Sequence, residues 1–156
     1  MTAEELKART LEGFERMFND GDLDYVDSAL APGAVDHQEP DGTDFAAHLK
    51  NVISTLRTAF PDLRFEVQEL IGEENTVACR STMTGTHQGP LRMGPMAALA
   101  VNGTKIDVPH MHFFHYDAEG RLTDLWHVWN TLSLARQLGA PAPDLSISAD
   151  SASPNS

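Results

Sequence analysis

Histidine is the residue type whose placement in this sequence first indicates chemistry. Four of the seven histidines, His110, His112, His115 and His127, lie close together near the end of the chain, and His87 ends an earlier predicted strand. An imidazole with an unperturbed pKa of about 6.5 can take up and release a proton at neutral pH. The clustering predicts a cavity that handles protons or binds a ligand.

Two predicted strands carry these histidines, and alternation decides which side chains share a face. Successive side chains of a strand point to opposite sides of the sheet. One face of the first strand presents His110, His112, Phe114 and Tyr116. One face of the second strand presents Leu125, His127 and Trp129. Only one face of each strand can line the cavity. If these faces do, Phe114 and Trp129 are substrate-binding residues, whereas His115 lies on the opposite face.

His127 is the candidate proton carrier, because its imidazole can accept a carbon-bound proton and return it to an alkoxide. The alternative is that His127 only positions the ligand. His110 and His112 are the other catalytic candidates, since they can donate hydrogen bonds to an enolate oxygen. Alternatively, either of them bonds a backbone carbonyl or faces a subunit interface.

The spacing His110-x-His112 also raises the question of a metal ion. Two imidazoles at this spacing on a strand can share an ion with a third ligand such as His127 or His37. No carboxylate stands at an obvious spacing, and carboxylates commonly complete such sites. We therefore predict no metal.

Two further residues are substrate-binding candidates. Arg80 stands alone in the apolar strand 76–83, where it can bind a carboxylate or phenolate of the substrate. The alternative is a cross-strand pair with Glu66 or Glu69. Met96 belongs to a loop rich in Met and Gly, which suits either an adaptable lid over the ligand or ordinary loop packing.

The elements that position these residues can be read from hydrophobic periodicity. A capping box at Thr2 begins a helix that ends near residues 19–21, and a short helix follows over 23–30. A long amphipathic helix covers 45–60, and strands 63–67 and 76–86 pair as a hairpin. Asn102-Gly103 predicts a two-residue turn into the histidine strand, and residues 117–120 turn that strand into the tryptophan strand. A short helix then ends at Gly139.

Composition bounds the class of protein. The chain has 156 residues with 41% hydrophobic content, which predicts a single domain, over residues 1–139. Helices followed by an antiparallel sheet make it an α+β domain, and a segment over 140–156 rich in Pro, Ser, Ala and Asp predicts a disordered tail. The net charge of −12 argues against nucleic acid and anionic membranes as partners. No leader and no run of about 18 apolar residues are recognisable. The single cysteine, Cys79, excludes an intrachain disulfide and fits a reducing compartment, so we expect a cytoplasmic protein.

Short motifs in this order of elements resemble the SnoaL-like polyketide cyclase family, of the nuclear transport factor 2-like superfamily. They are 19–23 (Asn-Asp-Gly-Asp-Leu), 35–37 (Val-Asp-His), 59–63 (Ala-Phe-Pro-Asp-Leu), 85–89 (Gly-Thr-His-Gln-Gly), 126–129 (Trp-His-Val-Trp) and 137–139 (Gln-Leu-Gly). The likeness covers residues 4–139. It implies a cone-shaped α+β barrel, in which a curved antiparallel sheet wraps around N-terminal helices and encloses a pocket.

The resemblance also implies a cofactor-free, homo-oligomeric enzyme, a dimer or tetramer, that closes a polyketide ring by aldol condensation. It places His37 at the pocket mouth and Asn130 in the pocket, both as substrate-binding residues. In many members an aspartate follows the first tryptophan of the last strand. This chain has His127 there, and Asn130 where a second aspartate is expected.

We therefore expect an acid/base enzyme of polyketide biosynthesis that uses His127, most simply an aldol-type cyclase. Dehydration, isomerisation and cofactor-independent hydroxylation can begin from the same stabilised enolate. A small-molecule binding protein without catalytic activity is the alternative from another class.

Overall fold

The computed structural model describes residues 1–141 and 143–147 of the chain, which form an α+β domain. The helices are α1 (Ala3–Gly13), α2 (Leu23–Ala29), α3 (Phe45–Ala59) and α4 (Thr131–Gln137). The strands are β1 (Leu30–Asp36), β2 (Arg64–Glu73), β3 (Thr76–Thr86), β4 (Lys105–Tyr116) and β5 (Leu122–Trp129). A π-helical segment, Phe14–Asn19, continues α1, and a 3-10 helix, Gly94–Ala98, lies between β3 and β4.

The five strands form one sheet in the order β1-β5-β4-β3-β2. Three of the pairings are antiparallel, whereas β1 pairs with β5 in parallel. The predicted α+β class is confirmed, with two corrections: the sheet is mixed, and it does not close into a barrel, because β1 and β2 end it at opposite edges. Parallel pairing is possible here because the chain between β1 and β5 is long enough to cross over.

Helix termini follow the sequence signals closely. The Thr2 hydroxyl accepts the Glu5 backbone N–H at 3.2 Å, and the Glu5 carboxylate accepts the Thr2 N–H at 2.7 Å, which completes the predicted capping box. Asp44 caps α3 in the same manner by accepting the Ala47 N–H. The predicted apolar face of α3 is buried against the sheet at Phe45, Leu49, Ile53 and Leu56.

Asn102 and Gly103 turn the chain just before β4, as predicted, although no strand among the described residues ends immediately before them. Strand β3 ends at Thr86, and residues 87–104 separate it from β4. Gly103 does turn the chain with φ of 72°, and its N–H donates to the His87 carbonyl at 2.9 Å. A turn signal reports local backbone geometry and does not show which strands the turn connects.

None of the helices in the described residues is long and apolar enough to cross a membrane. The predicted disordered tail, 140–156, lies mostly outside the described residues. Residues 1–139 as a single domain stay a prediction.

Candidate active site

A cavity of about 410 Å³ lies between the sheet and the N-terminal helices. Strands β4 and β5 contribute His110, His112, Phe114, Leu125, His127 and Trp129 to its wall. The opposite wall consists mainly of apolar side chains from the π-helical segment and α3, and α1 adds Arg9, Thr10 and Gly13. Met111 and Phe113, which alternate with the lining residues of β4, are exposed. Alternation grouped the side chains of each strand correctly, and the structure shows that the face of His110 and His112 and the face of His127 and Trp129 line the cavity.

His127 forms a hydrogen-bonded pair with Asp36. The distance from His127 Nε2 to Asp36 Oδ2 is 3.1 Å, and the Asp36 side chain is 5% exposed. Asp36 is the last residue of β1 and stands opposite Leu125 of β5, which brings its carboxylate beside the His127 ring. Burial alone would raise the pKa of Asp36, but hydrogen bonds from His127 and from the Gln38 N–H hold this pKa below its ordinary value.

Gln38 holds both members of this pair. Its backbone N–H donates to Asp36 Oδ1 at 3.0 Å, and its side-chain oxygen accepts the backbone N–H of His127. The carboxylate and the imidazole are therefore fixed relative to one another by the chain segment that follows β1.

His110 and His112 are buried and neutral. They are 6% and 8% exposed. Burial lowers the pKa of His110 to about 3 and that of His112 well below its ordinary value. Within the described residues, both ring nitrogens of His110 and the Nδ1 atom of His112 have no hydrogen-bond partner. A neutral imidazole offers one N–H donor and one acceptor, so both rings can serve a ligand.

Aromatic contacts fix the orientation of these rings. The His112 ring lies parallel to the rings of Phe114 and His127, with centroid distances of 5.2 Å and 5.7 Å. His110 contacts Trp129 at 5.0 Å. Phe14 closes over His112 edge-on from the π-helical segment. Phe114 and Trp129 thus line the cavity, and their role in substrate binding stays a prediction.

Four other predicted substrate-binding residues lie elsewhere. Arg80 is exposed and pairs with Glu69 at 3.4 Å, which is the structural alternative considered for it. Asn130 uses its side-chain oxygen to cap α4. Met96 packs against the core, and its loop neighbour Met93 lines the cavity instead.

His37 is the fourth, and it lies on the outer side of the sheet. Its Nε2 atom is 2.8 Å from Asp124 Oδ1, and its ring stacks on Trp126 at 4.2 Å. It borders a second cavity, formed by residues 27–46.

Among the described residues, Asp36, Glu39 and His48 have nitrogen and oxygen atoms close enough to share an ion, within 4.8 Å of one another. These atoms are already engaged, because His48 Nε2 lies 3.0 Å from Glu39 and Asp36 bonds His127. The pair His110-x-His112 is not part of this group. We assign no metal to either set.

Asp36 is a residue of the cavity wall that the sequence alone did not single out. A signal for it existed in the alternation of Val35, Asp36 and His37. Val35 is exposed and His37 faces outward, so Asp36 must face inward.

An α+β domain that holds a histidine–aspartate pair in a largely apolar cavity is typical of enzymes that perform acid/base chemistry on small organic molecules. The sequence model of the SnoaL-like polyketide cyclases matches residues 8–138, and the chain belongs to this family.

Solved structures support the same fold. TsrD from Streptomyces laurentii is 22% identical, with 90% of this chain and 100% of that chain covered and a TM-score of 0.76. AclR from Streptomyces galilaeus, a candidate hydroxylase, is 26% identical, with coverage of 92% and 88% and a TM-score of 0.76. IdmH from Streptomyces antibioticus, a candidate polyketide cyclase, is 24% identical, with coverage of 86% and 99% and a TM-score of 0.71. No curated protein sequence matches the chain.

Proposed function

We propose that this protein is a cofactor-independent cyclase of natural-product biosynthesis that closes a ring in a polyketide intermediate by intramolecular aldol addition. The observation that carries the proposal is the His127–Asp36 pair, which lines the same cavity as two neutral, unpartnered histidines. The expected aspartate of β5 is absent, but Asp36 supplies a carboxylate from the neighbouring strand.

The hydrogen bond to Asp36 selects the tautomer of His127. An ionised carboxylate only accepts hydrogen bonds, so His127 Nε2 carries the proton and Nδ1 holds the lone pair. Nδ1 is then the atom that removes a proton from a carbon between two carbonyl groups. The carboxylate of Asp36 stabilises the imidazolium that forms.

The remaining steps need no oxidant or reductant. The enolate carbon attacks a ketone carbonyl of the same molecule, which forms a carbon–carbon bond and an alkoxide, and the imidazolium returns its proton to the alkoxide. His110 and His112 donate hydrogen bonds to the oxygen atoms on which negative charge develops. The product is an isomer of the substrate.

Hydroxylation of a polyketide is the second candidate, and the similarity to AclR favours it. It begins from the same enolate but adds an oxygen atom. Dehydration and isomerisation are the other reactions open to this pair, and sequestration of the ligand without turnover is the non-catalytic alternative.

Deletion of the gene in its natural host tests these alternatives. Mass spectrometry then compares the mass of the metabolite that accumulates with the mass of the normal product. An isomer of the normal product, or a compound that differs by one water, supports cyclisation, isomerisation or dehydration. A compound short of one oxygen supports hydroxylation, and no accumulated precursor supports a binding protein.

Complementation of the deletion then tests His127. We expect His127→Ala to lower product formation by about 10²- to 10⁴-fold, which is the usual contribution of a general base. The matched control is His115→Ala, which removes an imidazole from the outer face of β4 and should restore the product in full. Equal restoration by both variants would remove His127 from the mechanism.

The cellular setting is part of the proposal. We place the protein in the cytoplasm as a homo-oligomer. The outer face of β4 and β5 supports self-association, because it exposes Met111, Phe113 and Val128 side by side.

A further inference from the structure

The cavity wall also carries the hydroxyl groups of Thr10, Tyr25 and Tyr116, which the proposed chemistry does not use, and Tyr25 lies near enough to Tyr116 to raise its pKa. All three line the cavity, and they are 3%, 6% and 7% exposed. Buried hydroxyl groups are normally hydrogen-bonded, so the partners of these three reveal what a ligand could add.

The direction of the hydrogen bonds follows from a count of protons. The Thr10 hydroxyl has one proton, and it donates to the Leu6 carbonyl at 2.9 Å. In the 2.7 Å contact between Thr10 and Tyr116, Tyr116 must therefore be the donor. The Tyr116 oxygen keeps a lone pair that can accept. Within the described residues, the Tyr25 hydroxyl makes no hydrogen bond at all.

Both phenols keep their protons. Burial raises the pKa of Tyr116 to about 12 and also raises that of Tyr25. Arg9 and Glu12 lie near the Tyr25 hydroxyl and shift this pKa in opposite directions, but neither completes a hydrogen bond with it. The Tyr25 hydroxyl is thus a free hydrogen-bond donor, and the Tyr116 oxygen is a free hydrogen-bond acceptor.

The strand geometry gives the distance between this group and the catalytic end. His112 pairs with His127 across β4 and β5, and Tyr116 lies four residues further along β4 on the same face. A strand rises by 3.2–3.4 Å per residue, so the backbone positions of His112 and Tyr116 lie about 13 Å apart. The wall between them is apolar and includes Phe114.

We propose that Tyr25 and Tyr116 form an anchor for a hydroxyl group at the far end of an elongated, ring-bearing ligand. The ligand hydroxyl accepts a hydrogen bond from the Tyr25 hydroxyl and donates a hydrogen bond to the Tyr116 oxygen. A hydroxyl fits better than a carbonyl, which would leave the Tyr116 lone pair unused. The inference rests on the proposed function, because it assigns the opposite end of the same ligand to His127.

The test compares two probes that differ by one hydroxyl group, anthraquinone and 2-hydroxyanthraquinone. Trp129 lines the cavity and Trp126 lies on the outer face, so quenching of Trp129 fluorescence in a Trp126→Phe background reports binding. We expect the hydroxylated probe to bind about five- to a hundredfold more tightly, as for two hydrogen bonds. Tyr25→Phe should reduce this preference to about three- to tenfold, as for the one bond to Tyr116 that remains, and leave the affinity for anthraquinone unchanged.

Ser28→Ala is the matched control, because it removes a hydroxyl of α2 that bonds the Tyr25 carbonyl outside the cavity. It should keep the preference. The anchor is overturned if Tyr25→Phe keeps the full preference or weakens the binding of both probes equally. It is also overturned if His110→Leu, and not Tyr25→Phe, removes the preference. Absence of quenching by both probes would overturn the ligand class of the proposed function together with the anchor. If the gene deletion shows that the reaction is not an aldol cyclisation but the probe preference is as expected, only the proposed reaction is wrong and the anchor stands.

Discussion

His110→Leu should make the protein less sensitive to acid. His110 is buried in the folded chain, and burial, with a smaller effect of His127, lowers its pKa from 6.5 to about 3. The unfolded chain therefore binds a proton at this residue between these pH values, whereas the folded chain does not. Protonation favours the unfolded state, and the free energy of unfolding falls as the pH falls through this window. Leucine fills a similar volume and does not titrate.

The size of the effect follows from the two pKa values. With 6.5 for the unfolded chain and about 3 for the folded chain, His110 costs the wild type about 2 kcal/mol between pH 7 and pH 5. Most carboxylates remain ionised over this range, so they contribute little to the difference. The variant retains His112, and we expect it to lose stability too, but by about 2 kcal/mol less than the wild type.

Urea unfolding followed by tryptophan fluorescence at pH 7 and pH 5 measures this difference. His115→Leu is the control, because it keeps both buried imidazoles and should lose as much stability as the wild type. If His110→Leu loses as much as the wild type, the His110 ring is hydrated or protonated in the folded protein. The argument that it serves as a neutral hydrogen-bond donor would then be refuted.

Two further substitutions test the site and its support. Asp36→Asn removes the charge that His127 bonds, which should lower the free energy of unfolding at pH 7 by about 2 kcal/mol. A lowered carboxyl pKa adds stability only while the group is ionised, so variant and wild type should converge as the pH falls through the lowered pKa of Asp36. Urea unfolding across pH measures this convergence, and a constant gap between the two proteins would contradict it. Gly89→Ala would drive its Cβ into the Thr58 carbonyl oxygen and should lower the free energy of unfolding by about 1–3 kcal/mol. Gly13→Ala is the control, since its Cβ meets only a flexible methionine and alanine favours a helix. Thermal or urea unfolding measures both variants, and an equal loss of the free energy of unfolding in the two would contradict the clash.

The side chains that share a face of β4 or β5 could be predicted from the sequence because alternation is a local property. His110 and His112 share a face, as predicted, but that this face lines the cavity depends on the packing of the helices and could not be decided by alternation. The caps of α1 and α3 were equally readable, since Thr2 and Asp44 act within three residues. These features depend on the nearest neighbours in the chain.

The partner of His127 could not be predicted in this way. Asp36 reaches His127 through a parallel pairing between strands that are distant in sequence, and no local pattern encodes that register. Arg80 shows that a local pattern can also suggest burial where there is none. Its strand is apolar around it, but its own position faces outward, where Glu69 meets it.

The pairing of β1 with β5 has a consequence for how this protein would lose activity. His127 stands on a strand with neighbours on both sides, whereas Asp36 stands on a short edge strand whose register is interrupted between Leu30 and Val35. Edge segments open at a lower free energy than the sheet interior, and such openings leave the rest of the domain folded. Detachment of β1 would separate the proton carrier from its carboxylate. Inactivation on warming would then follow the fraying of one strand, at temperatures where the domain as a whole remains intact.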